Sequence, residues 1–191
     1  MIREGISIRF QALTISLLIL SAVVFFATGF VNADEKGGQL TDAMIIAIFD
    51  NANTADIVTG QLGVAKGNSE EVRALGRMVV TDHMAVQQMG RDLANKLGVF
   101  PDPPPGDQSI ANLAETVTML QSKSGEDFDK AYLLYEIQFH QSVIDAINEV
   151  LLPSAQNEEL KALIIKVGPG FKGHLEATKA AARKLGYYEG D

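Results

Sequence analysis

The amino-acid sequence predicts an all-α protein, a bundle of four long helices with a long crossover between the second and the third. Two observations carry that prediction. Four segments place apolar residues at steps of three and four, the period of a helix with one buried face, and nothing shows a convincing alternation of two. Two of the three connections between these segments are a few residues long, whereas the link from Gly98 to Ser124 is not.

The first helix is expected from about Thr41 to Lys66, with Met44, Ile48, Ala55, Val58, Leu62 and Ala65 in one row and Asn51 interrupting it. The second opens at Asn68, whose spacing to Glu71 fits a capping box, and closes at Gly98. Its row is Val72, Gly76, Val79, His83, Val86, Gly90, Leu93 and Leu97. The third starts after Ser124, carries Leu133, Glu136, His140, Val143 and Ile147 inward, and is expected to end at Pro153. The fourth runs from Asn157 to about Leu185 through Leu160, Ile164, Val167, Phe171, His174, Thr178, Ala181 and Leu185. Four such rows must bury one another, as they do in a helical bundle.

The connections choose the topology. Short links suit antiparallel neighbours. The Gly98–Ser124 link holds the stiff "PDPPPGD" and then a short amphipathic helix, "SIANLAETVTMLQ". Helices of roughly 28 residues stand about 42 Å tall, and this link is long enough to run that height. A ferritin-like crossover is therefore expected, with plain up-down-up-down connectivity as the alternative.

Ahead of the bundle, Arg3 and Arg9 precede an uncharged apolar run from Ala12 to Val31, and Val31-Asn32-Ala33 supplies the small residues of a cleavage point. Residues 1–33 are expected to be a signal peptide, and residues 34–191 a single ferritin-like domain in the bacterial periplasm or otherwise exported. An uncleaved anchor is the alternative, since about 20 apolar residues also span a bilayer. The first 33 residues hold two Arg and one Glu, so their removal takes the formal charge from −8 to −9. That excess repels nucleic acid and anionic lipid, which excludes a nucleic-acid partner and a membrane partner for the mature domain. The chain has no cysteine, so neither a disulfide nor a thiolate ligand is available.

Three histidines are present, and each falls near the middle of a different long helix, on its apolar row. Residues at that level of a bundle share a height, so His83, His140 and His174 are expected to converge. Neutral imidazoles gathered in a bundle core hold a transition metal ion: Zn, Cu, Ni or Fe. Glu136, one turn before His140, is expected to reach the same centre, the alternative being a tyrosine-bonded or partly exposed glutamate, and Asp56 to supply the fourth wall from the first helix, the alternative being a solvated flank acid. Asp82 points elsewhere, as a supporting or surface acid. Pro169 is expected to break the last helix and re-aim His174, with Gly168, Gly170 and Gly173 letting the chain bend or a neighbour approach closely.

The stretches "ADIVTGQLGVAKGNSEEVRALGRMVVTDHMA", "FDKAYLLYEIQFHQ" and "LKALIIKVGPGFKGHLEATKA" resemble the exported bacterial proteins of domain-of-unknown-function family 4142, grouped with the ferritin-like bundles. The resemblance covers about Met44 to Leu185. It implies Asp56 in the place where the family usually has Glu, Asp82 with His83 as an Asp-His pair, His140 and His174 as the other histidines, and Pro169 before the last. Di-iron carboxylate bundles instead pair Glu and His three residues apart on two helices. Here the only Glu-His pair is spaced four apart. The constellation suits one transition ion, held for sequestration, buffering or sensing. An open coordination position would make the protein a metalloenzyme, and a metal-free structural or stress-related module of the cell envelope is the third reading. No Gly-x-Ser-x-Gly arrangement or Gly-rich phosphate loop appears, which leaves nucleophilic hydrolysis and nucleotide chemistry without support.

Overall fold

The structure, a computed structural model, describes residues 40–190. The apolar run from Ala12 to Val31 and the expected cleavage point lie outside the described residues. Those that are described form an all-helical bundle: α1 (Asp42–Lys66), α2 (Glu70–Leu97), α3 (Ser109–Gln121), α4 (Gly125–Ala146) and α5 (Glu158–Lys184). Among them no helix is long and apolar enough to cross a membrane.

Local chemistry sets the helix ends. Thr41 caps α1 by accepting from Met44 N, Ser69 caps α2 by accepting from Val72 N, and Asn157 caps α5 by accepting from Glu159 N and Leu160 N. The cap of α2 is thus Ser69 rather than Asn68, and the expected capping box is absent. Asn68 and Ser69 instead donate their backbone N–H groups, at 2.7 and 2.8 Å, to the carboxylate of Asp129 on α4, while Glu71 pairs with Lys184. At its far end α2 closes as expected on Gly98, whose φ of 65° is the left-handed conformation that glycine adopts without strain.

Two expected helix ends are corrected. α4 does not stop before Pro153 but widens into a π-helical turn (Ile147–Leu151) and finishes with Leu152–Ser154. The wider turn eases the clash between the proline ring and the carbonyl one turn earlier. α5 is helical on both sides of Pro169, so no break occurs there. The proline cannot donate to Ile165 O, but Ile165 lies on the solvent side, where that carbonyl is open to water. Nor does a neighbour approach Gly168, Gly170 or Gly173, since nothing lies within 4 Å of where a Cβ would stand. Close approach happens elsewhere: a Cβ on Gly76 of α2 would meet Gly60 O of α1 at 2.6 Å, so these two helices pack backbone to backbone.

Contacts at the two ends fix the course of the chain. At one end, the Asp42 carboxylate accepts from Gln156 N and Asn157 N, and Lys96 pairs with Glu159. At the other, Asp129 holds the α1–α2 turn and Lys66 Nζ donates to Leu120 O and Gln121 O. Between them the crossover is fastened along α1: Asp102 N donates to Ala43 O, and Asn51 Nδ2 donates to Asp107 Oδ2 and Ser109 Oγ. Hence α1, α3 and α5 run one way, and α2 and α4 the other.

The rows expected for α2, α4 and α5 face the core, with Ala182 rather than Ala181 closing the last. The row expected for α1 does so only in part, through Ile48 and Ala55. Met44, Val58 and Leu62 are only half-buried and Ala65 is exposed, whereas Ala52, Asn53, Asp56, Thr59, Gly60 and Gly63 are buried. At mid-height α1 therefore turns polar and small side chains inward.

Candidate metal centre

All five residues expected at the centre are interior. Asp56, Glu136 and His140 are fully buried, His83 is 1% exposed and His174 7%. The three imidazole centroids stand 5.7 Å (His83 to His140), 5.0 Å (His83 to His174) and 5.5 Å (His140 to His174) apart. One ligating atom from each histidine lies within 4.8 Å of the other two, and the same holds for Asp56, Glu136 and His140. Phe171, one turn before His174, packs edge-on against His83 at 5.0 Å and walls the group on the α5 side.

The hydrogen-bond partners fix where each imidazole carries its proton. Asn53 donates its Nδ2 to Phe49 O at 2.7 Å, which leaves its Oδ1 to accept, and that oxygen stands 2.9 Å from His83 Nδ1. His83 Nδ1 is therefore the protonated nitrogen, and Asp56 Oδ2 stands 3.3 Å from it without forming a hydrogen bond. His140 Nδ1 lies 2.9 Å from the carbonyl of Glu136, which only accepts, so it too carries the proton. His174 Nε2 lies 2.9 Å from Asp82 Oδ2 and donates to it. The remaining nitrogens, His83 Nε2, His140 Nε2 and His174 Nδ1, are turned toward one another.

Two of these nitrogens, His83 Nε2 and His174 Nδ1, face each other directly, 3.1 Å apart, and a single shared proton makes that contact a hydrogen bond. They repel unless a proton or a metal ion lies between them. The spacing is close to the roughly 3.3 Å that separates two nitrogens bound tetrahedrally to an ion at about 2.0–2.1 Å. His140 Nε2 is buried without a hydrogen-bond partner, as are both oxygens of Asp56, Glu136 Oε2 and the Tyr132 hydroxyl. The other oxygen of Glu136 accepts from Thr59 Oγ1 at 2.8 Å. His140 Nε2 and Asp56 Oδ1 are 3.9 Å apart.

Burial governs protonation here. It pushes His83 far below the ordinary imidazole range, with His140 and His174 adding to the effect, and lowers His140 to about 4 against the help of the Glu136 carbonyl. Both rings are neutral, the form that binds metal. Burial raises Glu136 to about 8, opposed by the Thr59 hydrogen bond, and raises Asp56 through burial first and the Glu136 charge second. A cation beside them would reverse that preference and hold both as carboxylates.

Asp82, expected as a supporting or surface acid, is about half-exposed yet fixes the His174 proton. Asn53, Thr59 and Tyr132 went unforeseen. Asn53 and Thr59 lie three residues either side of Asp56, and that regular polar spacing through Asp56 is the available signal.

Fold and site together define an all-helical bundle whose interior carries three imidazoles and two carboxylates positioned to hold a metal ion. The chain belongs to the family described as Domain of unknown function (DUF4142), the match covering residues 30–181. No curated protein and no solved structure matches it.

Proposed function

We propose that this protein is an exported, periplasmic bundle of ferritin-like topology that binds a transition metal ion for sequestration, buffering or sensing. His83, His140 and His174 are the ligands, and Asp56 or Glu136 completes the shell. One observation carries the reading: each imidazole has one nitrogen bonded to an outer acceptor, which turns its other nitrogen toward the other two rings. Outer hydrogen bonds of this kind set the tautomer of metal-bound histidines. With imidazole and oxygen donors and no thiolate, the set favours Zn, Cu, Ni or Fe.

The ferritin-like topology rests on the crossover, which runs beside α1 so that α2 and α4 point the same way. Export rests on the basic, apolar and small-residue segments that precede Asp34. A purely structural polar core is the weaker reading, because five buried polar atoms without partners cost stability that a metal would restore.

The test is elemental analysis of natively purified protein together with thermal shifts on adding Zn, Cu, Ni or Fe. A stoichiometric metal and a raised Tm, both lost in the His83→Gln/His140→Gln/His174→Gln variant, are expected. Metal-free protein with an unmoved Tm for all four ions overturns the reading.

A further inference from the structure

The five interior residues separate into two groups of three, His83 with His140 and His174, and Asp56 with Glu136 and His140. His140 belongs to both but has a single nitrogen to give, because its Nδ1 proton is held by the Glu136 carbonyl. One ion bound through that nitrogen can therefore take one group and only part of the other. Placed among the imidazoles and completed by one carboxylate oxygen, it leaves the other buried oxygens of Asp56 and Glu136 without partners. Placed among the carboxylates it leaves His83 Nε2 and His174 Nδ1, 3.1 Å apart, with no ion between them.

We infer that the core holds two cations: a nitrogen position formed by His83, His140 and His174, and an oxygen position formed by Asp56, Glu136 and the Tyr132 hydroxyl. The inference rests on the metal-binding reading above and extends it. Tyr132 sits one turn before Glu136 on the same helix, so the two side chains project from one face. Its hydroxyl is the remaining buried polar atom without a partner. Two carboxylates match the charge of a divalent ion, and an all-oxygen set suits harder ions such as Mn(II), while the imidazoles suit Zn(II) or Cu(II). Asp56 lies between the positions, with Oδ2 3.3 Å from His83 Nδ1 and Oδ1 3.9 Å from His140 Nε2. Loading one position therefore orients a side chain that serves the other.

Native mass spectrometry of the full chain, titrated with Zn(II) or with Mn(II) and desalted, tests this. Wild type is expected to retain two Zn(II). Glu136→Gln, whose amide oxygen still accepts from Thr59, is expected to retain one, and so is His174→Gln. Mn(II) alone is expected to bind once, to be lost from Glu136→Gln and to be kept by His174→Gln. Circular dichroism confirms that each variant is folded. Saturation of wild type at one Zn(II), or two Zn(II) still held by Glu136→Gln, overturns the inference while the metal-binding reading stands. No retained ion in wild type overturns both.

Discussion

Asp82 offers a clean perturbation, because it acts on the centre from outside the core. Its carboxylate accepts the His174 Nε2 proton at 2.9 Å and thereby leaves Nδ1 free to face His83. The side chain is 53% exposed, so Asp82→Ala opens no core cavity. Without the acceptor, His174 gains access to the other tautomer and to other ring orientations, and loss of such an outer partner typically weakens metal binding by about 10–100-fold. At a metal concentration of about 100 Kd for wild type, binding stabilises by about 2.7 kcal/mol, and the variant would retain between about 1.4 and 0.4 kcal/mol. The assay is urea denaturation of both proteins with and without Zn(II), paired with a chelator competition for Kd. Metal-free stabilities should agree within about 0.5 kcal/mol. Asp82→Asn, whose amide oxygen still accepts, should lose less than Asp82→Ala. Equal Zn(II) affinity in wild type and Asp82→Ala would refute the tautomer argument.

Other predictions follow from burial and packing. Glu136, raised to about 8, contributes stability that is present below its unfolded value near 4.5 and lost as pH rises toward 8. His83 and His140, both lowered, contribute stability that is present above about 6.5 and lost as pH falls toward 4. Metal-free Tm from this group should therefore decline from pH 6.5 to 8, and the Tm gain on adding Zn(II) should grow over the same interval, because the ion takes the deprotonated forms; differential scanning calorimetry reads both. Gly63→Ala drives a methyl to 2.8 Å from Tyr132 Cζ and should cost about 1–3 kcal/mol, whereas Gly173→Ala, with open space, should gain about 0.5–1 kcal/mol by chemical denaturation. Asp129→Ala removes the acceptor for Asn68 N and Ser69 N and should cost roughly 1.5–3 kcal/mol, read in the same way.

The histidines were legible because each sits on a row whose other members are apolar, and burying the row carries the imidazole with it. The bounds of α3, residues 109–121, were equally legible, since its stretch is set off by prolines on one side and by Ser-Lys-Ser on the other. The inner face of α1 was not. Its core-facing residues at the centre are Asn53, Asp56 and Thr59, which match the polar groups of α2 and α4 rather than an apolar layer, so a search for apolar periodicity finds the wrong face. The cap of α2 was misread by one residue because the partner of Asn68 is Asp129, 61 positions away. Pro169 was overread: a proline on the solvent side of a long, otherwise well-packed helix costs one hydrogen bond without ending it. The role of Asp82 depends on which face of α5 meets α2, and a single helix does not disclose that.

X-ray absorption at the Zn edge, on protein loaded with one equivalent of Zn(II), measures the central claim most directly. Three imidazole nitrogens and one oxygen at about 2.0–2.1 Å are predicted, with the imidazole signal falling when His83, His140 and His174 become Gln. A shell of oxygens alone, or one unchanged in that variant, would contradict the account.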